Sequence, residues 1–130
     1  MRTRLIVPAA LLACVALAAT GCGGKKKSSA PPATNGPSGA ALAGSVGPGF
    51  EISLKRGGQP VTTLKAGTYI LNVDDQSDIH DFHLTGPGVD VSTDVSFKGT
   101  KSFTITLQAG KYHFQCDPHA SSMNGDFTVT

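Results

Sequence analysis

From residue 50 to the end of the chain, apolar side chains return at every second position in short runs, most of them separated by turns that carry Gly or Pro. The runs cover 50–54, 68–73, 79–85, 91–97, 102–107, 112–116 and 126–130. Alternation at period two gives a segment one apolar and one polar face, so each run is stable only as a strand whose apolar face is covered. No stretch of this region carries the 3.6-residue period of a helix. About seven to eight strands punctuated by turns specify an all-β fold, a Greek-key β-sandwich or barrel, in one domain over 45–130 with a single small core. Residues 65–69 and 108–112 echo one another (Lys-Ala-Gly-Thr-Tyr and Gln-Ala-Gly-Lys-Tyr), and both fit a turn leading into a strand.

The N-terminal part reads differently. Met1-Arg2-Thr3-Arg4 is a basic start, and the apolar run over 5–19 is short for a membrane span and broken by Pro8, which is the pattern of an export signal. The tetrad Ala19-Thr20-Gly21-Cys22 resembles the lipobox of bacterial lipoproteins, with Ala19 where Leu is commoner. That resemblance implies a signal peptide over 1–21, cleavage before Cys22, lipid on the Cys22 sulfur, and anchorage to the outer, extracytoplasmic face of the bacterial cytoplasmic membrane. Residues 22–44 are rich in Gly, Ser, Pro and Lys without apolar periodicity, which reads as a disordered tether. About twenty residues of this kind hold a domain on the order of 25 Å from its anchor. Lys25, Lys26 and Lys27 fit either a solvated run or contact with anionic lipid head groups.

Of the three cysteines, Cys14 falls in the signal and Cys22 carries lipid, which leaves Cys116 alone in the mature chain. An exported protein meets an oxidising compartment where thiols pair, so a solitary thiol points to a metal bond or to burial as a small hydrophobe. Charge excludes one class of partner. The 11 basic and 9 acidic residues give +2, but Arg2, Arg4 and the three lysines precede residue 45. From there on Lys55, Arg56, Lys65, Lys98, Lys101 and Lys111 face nine acids, a balance of −3. A mildly acidic domain without a basic stripe does not suit nucleic acid.

The chemistry is concentrated near the C-terminus. Tyr112, Phe114 and Cys116 share one strand face and His113 and Gln115 the other, after which a loop brings His119 and Met123. Thiol, imidazole and thioether are the soft and borderline donors that copper favours, and two His, one Cys and a weak axial Met make a blue-copper electron-transfer site. The second His has to come from elsewhere. In the run 79–85, alternation puts His80 with Phe82 and Leu84 on the core side and Asp81 with His83 on the solvent side, which favours His80. His83 stands as the rival, placed to replace or assist it, and His113 faces the surface by the same alternation. A lone core-side His is also often no more than a hydrogen-bonded structural residue.

These residues resemble those of the cupredoxins, the blue-copper proteins of plastocyanin and azurin type. Two motifs carry the resemblance, His80-Asp81-Phe82 and the stretch 112–125 with its Cys-x-x-His-x-x-x-Met-x-Gly pattern, and the strand order extends it over nearly all of 45–130. It implies one copper ion in a type 1 centre on His80, Cys116, His119 and Met123, and single-electron transfer rather than enzymatic catalysis. The expected partners are redox proteins met transiently by a monomer: His119, on the loop, is the ligand placed to show an edge to solvent, and an apolar apron of Pro87, Val89, Pro118 and Ala120 around it would give a small docking face. A copper carrier or delivery protein would use the same donors. An adhesion module on the same fold would leave them unexplained, and four His are too few for a multicopper oxidase. Asp81 departs from the family, which usually has Asn there, tying the first His strand to the residue after the ligand Cys, here Asp117. Two ionised carboxylates would repel at that contact. Either they share a proton, or Asp117 turns to solvent and Asp81 accepts from its main-chain N–H.

Overall fold

A computed structural model describes residues 39–130. The expected export signal, Cys22 with its expected lipid, and most of the expected tether lie outside the described residues. Ten strands are present among those described: β1 (Ala40–Val46), β2 (Ile52–Arg56), β3 (Gln59–Pro60), β4 (Thr63–Leu64), β5 (Gly67–Asp75), β6 (His83–Gly86), β7 (Val89–Ser92), β8 (Gly99–Leu107), β9 (Gly110–Gln115) and β10 (Asn124–Val129). They form two five-stranded sheets, β3-β2-β1-β5-β8 and β4-β10-β9-β6-β7. The chain crosses between sheets from β3 to β4, from β4 to β5, from β5 to β6, from β7 to β8 and from β8 to β9, so the all-β Greek-key sandwich expected from the alternation is the fold observed.

The core follows the period-two pattern. Tyr69, Leu71 and Val73 of β5, Ile105 and Leu107 of β8, Tyr112 and Phe114 of β9, and Phe127 and Val129 of β10 are all buried between the sheets. Each such side chain contributes about 1.5–3 kcal/mol by leaving water. Two tyrosines also close the turns that precede their strands: Tyr69 Oη donates to Lys65 O at 2.8 Å, and Tyr112 Oη accepts from the Gln108 N–H at 2.9 Å while donating to Pro87 O at 2.8 Å. This is the shared turn chemistry behind the echoed pentapeptides. The Tyr112 ring lies over Gly86 and the Phe114 ring over Gly125, where a Cβ would overlap the ring in each case.

Three boundaries differ from the alternation. The domain begins before residue 45, because β1 is the middle strand of its sheet, paired antiparallel with β2 and parallel with β5 from Ala40↔Tyr69 to Val46↔Asp75. Its composition of Ala, Gly and Ser resembles a linker, but Leu42 and Val46 are buried. A Cβ on Gly44 would stand 3.1 Å from the Phe82 ring, so the glycine there is set by packing. The run 91–97 is extended only to Ser92; Thr93 turns inward and the Phe97 N–H donates to Asp94 O at 2.8 Å in a turn. The run 79–85 is a strand only from His83.

Candidate metal centre

β5 ends at Asp75, and the chain then turns because side chains capture its backbone N–H groups. Asp75 is buried; its Oδ2 accepts from Thr93 Oγ1 at 2.7 Å and its Oδ1 from the Ser77 N–H at 3.3 Å. Thr93 Oγ1 in turn accepts from the Phe82 N–H at 2.9 Å, and Thr93 N–H donates to Phe82 O at 3.1 Å. These bonds take the place of a sheet ladder, so the expected strand over 79–85 does not form in its first half. As a result His80 and its neighbour Asp81 are both buried, at 1% and 2% exposure, where strict alternation would put them on opposite faces.

The second loop leaves β9 at Cys116, makes one 3₁₀ turn over Asp117–His119 and enters β10 at Asn124. Pro118 suits that turn, since its φ is fixed and it has no N–H to satisfy. The Cys116 N–H donates to Met123 O at 2.9 Å, the His119 N–H to Cys116 O at 3.0 Å, and the Met123 N–H to His119 O at 2.9 Å. Met123 is thus tied through its backbone to both Cys116 and His119, and it is buried.

The two loops bring His80, Cys116 and His119 together. His80 Nδ1 lies 3.1 Å from His119 Nδ1 and 3.5 Å from Cys116 Sγ, and His119 Nδ1 lies 3.6 Å from Cys116 Sγ. The centre of that triangle is about 2 Å from each corner, the distance at which a first-row metal ion bonds imidazole nitrogen. The residues therefore fit a metal ion, and their mix of thiol and imidazole suits copper. Cys116 and His80 are buried, and His119 is half-buried. Phe50, from the loop between β1 and β2, caps the two imidazoles edge-on at centroid distances of 4.9 Å to His119 and 5.4 Å to His80, and is itself 65% exposed.

Pro118 and Ala120 flank His119, but Pro87 and Val89 do not belong to this surface. They sit at the far end of β6, about 10 Å along the strand from His83, with Pro87 against Gly110 and Val89 buried. Phe50 and Ile79, in the loops that cover and carry the site, are exposed apolar side chains instead. Phe50, Asp75 and Thr93 escaped the sequence reading: an aromatic at a run's start, an acid at a strand's end and a threonine inside a run carry no signal of a site.

His83 and His113 lie outside the triangle. His83 joins a separate cluster with Asp81 and Asp117, and is half-buried rather than turned to solvent. His113 binds Asp126 at 2.7 Å and Gln115 at 3.0 Å on the outer face of β9. The Asp117 N–H donates to Asp81 Oδ1 at 2.7 Å, while the Asp117 carboxylate turns to His83 and accepts from Gln115 Nε2 at 2.8 Å. Of the two arrangements open to Asp81 and Asp117, the structure has the main-chain one. Burial pushes the Asp81 carboxyl up, and the Asp117 charge adds to it, against the lowering effect of the Asp117 N–H. Burial also raises the Cys116 thiol, opposed by the N–H groups of Asp81 and His119. Burial works against the charged forms of both Asp117 and His83, yet Gln115 and His83 together hold Asp117 low, and Asp90 and Asp117 together hold His83 high.

Rusticyanin structures are similar to this one. A methionine-to-glutamine mutant of rusticyanin superposes with a TM-score of 0.52 at 22% identity, over 69% of this chain and 76% of that one. The copper protein rusticyanin does so at 0.53 and 20%, and rusticyanin from Thiobacillus ferrooxidans at 0.50 and 23%, both over the same shares. At these identities the likeness shows the fold, a cupredoxin sandwich. No curated protein matches the sequence. A family profile described as copper binding proteins, plastocyanin/azurin family, matches residues 51–130, a stretch that contains both loops of the metal centre. The chain therefore belongs to the plastocyanin/azurin family of copper-binding proteins.

Proposed function

We propose that the protein carries single electrons between redox proteins outside the cytoplasm, with one copper ion that His80, Cys116, His119 and Met123 would hold, and with a lipid on Cys22 tethering it to the membrane. The observation that carries this reading is the buried triangle of two imidazole nitrogens and one sulfur, its corners 3.1 to 3.6 Å apart. Copper held by such a set supplies one-electron exchange, because the donors are acceptable to both Cu(I) and Cu(II). The protein's part is to keep those donors still and dry. Asp75 and Thr93 hold the turn that carries His80, and the bonds among Cys116, His119 and Met123 close the other loop. His119, half-buried under Phe50, is the ligand nearest the surface, and Phe50, Ile79, Pro118 and Ala120 offer a small apolar face for a transient partner. Export and tethering rest on the Ala19-Thr20-Gly21-Cys22 pattern.

The full chain given Cu(II) is expected to turn intensely blue through thiolate charge transfer, and Cys116→Ser to abolish the colour. His80→Ala loses the blue site and His83→Ala keeps it. A colourless wild-type complex, or tetragonal copper spectra, overturns the assignment. Copper that stays bound through repeated reduction and oxidation supports a carrier of electrons; rapid loss to a Cu(I) chelator on mild reduction supports copper delivery instead. Cys22→Ser is expected to release the protein from the membrane fraction.

A further inference from the structure

We propose that His83 is a positioning residue for the metal loop: as an imidazolium it grips the carboxylates of Asp117 and Asp90 together, and so ties the residue after Cys116 to the hairpin of β6 and β7. Its effect on the metal rests on the copper reading above, whereas the grip itself is a property of the chain.

The geometry requires the charge. His83 Nδ1 lies 3.0 Å from both carboxylate oxygens of Asp117, and Nε2 lies 2.8 Å from Asp90 Oδ1. A neutral imidazole has one N–H, and a carboxylate only accepts. A neutral ring would therefore set a lone pair against a carboxylate at one end, and only the doubly protonated ring satisfies both contacts. The ring is 23% exposed, dry enough for charge-assisted bonds to hold.

The charged groups around it come from every neighbouring element. Asp90 approaches from β7, Asp117 from the metal loop and Asp81 from the turn before β6. Lys101 of β8 binds the carbonyl of Ser92, the residue paired with His83, and His113 of β9 lies beyond Gln115. Burial works against the charged ring, and the bonds and charges of Asp90 and Asp117 outweigh it and make the ring more basic.

The consequence falls on residue 117. Asp117 donates its N–H to Asp81 while its carboxylate is drawn to His83 and Gln115, so a donor stands between two acids whose carboxylate oxygens lie within 4.8 Å of each other. When His83 loses its second proton, one end of the grip turns repulsive and the Asp117 N–H bond to Asp81 loosens.

Nitrogen-15 NMR of the metal-free full chain reads the ring directly. His83 is expected doubly protonated at neutral pH, with a midpoint above the ordinary histidine value of about 6.5, and Asp90→Asn, a change at an exposed side chain, lowers that midpoint. Amide exchange at Asp117 is expected to accelerate roughly tenfold in His83→Gln, the equivalent of one charge-assisted bond. In wild type the protection, taken relative to the intrinsic base-catalysed rate at each pH, falls as the ring titrates, and in His83→Lys the protection returns without the titration. A neutral single tautomer of His83 at neutral pH overturns the proposal, as does Asp117 exchange that is the same in wild type and His83→Gln at every pH. A wild type that fails to form a blue site would count against the copper reading alone, since all of these readings are taken without metal.

Discussion

The Asp117 N–H donates to Asp81 Oδ1 at 2.7 Å, joining the residue after one candidate copper ligand to the residue after another. The bond needs only an acceptor, so it does not explain a carboxylate in place of an amide. What the carboxylate adds is negative charge beside Cys116, in a buried position that favours its neutral form.

Asp81→Asn keeps an acceptor oxygen and removes that charge. Negative charge near copper favours Cu(II), so the reduction potential is expected to rise, and voltammetry that finds it unchanged or lowered rejects the electrostatic account. Asp81→Ala removes the acceptor as well and strands the Asp117 N–H. It is expected to cost about 1–3 kcal/mol in denaturation of the metal-free protein.

Thr93 Oγ1 is the single atom that links the Phe82 N–H to the buried Asp75 carboxylate. Thr93→Val leaves both without that partner and is expected to cost about 2–4 kcal/mol. Thr93→Ser retains the hydroxyl and loses less. Urea denaturation of the metal-free chain orders the three proteins, and equal midpoints for Val and Ser would show that the hydroxyl does not matter.

Phe50 covers the two imidazoles from outside. Phe50→Ala is expected to speed copper loss to a chelator by about two- to tenfold, the equivalent of one edge-to-face contact, whereas Phe50→Tyr preserves the wild-type rate. The same substitution in the metal-free protein should quicken alkylation of Cys116, whose sulfur is otherwise shut in.

A chain that begins at Ser45 lacks Ala40–Gly44 of β1, including Leu42. Losing one buried leucine costs about 2–5 kcal/mol, and the parallel pairing with β5 goes with it. Such a fragment is expected to be markedly less stable than one starting at Pro31, by comparison of denaturation midpoints.

Stability should vary with pH on the alkaline side. His83 is more basic when folded than when unfolded, so its contribution is whole below about pH 6.5 and is lost as pH rises through the folded value. Asp117, held low, contributes above its ordinary range and loses that contribution as pH falls through its folded value. Asp81, held high by burial, costs stability near neutrality and returns it in acid. Denaturation midpoints of the metal-free chain are expected to decline above neutrality in wild type, and His83→Gln should flatten that decline.

Local pattern was enough for much of this molecule. Alternating side chains announce β5, β8, β9 and β10, because a strand half-buried in a sandwich must sort apolar from polar residues at every second position. The spacing of Cys116, His119 and Met123 marks the metal loop, since three donors that close together have few other uses. Features made by distant residues were illegible. β1 looks like linker until the Phe82 ring is seen to need Gly44. The runs 79–85 and 91–97 break because Asp75, Thr93 and Phe82, far apart in the chain, bond one another in place of a ladder. Pro87 and Val89 went to the wrong end of β6, and Phe50 came to lie over the site, because only the packing of the two sheets fixes which loops share an end. Asp117 faces His83 and not Asp81 for the same reason: the choice depends on Asp90 and Gln115, brought there by β7 and β9.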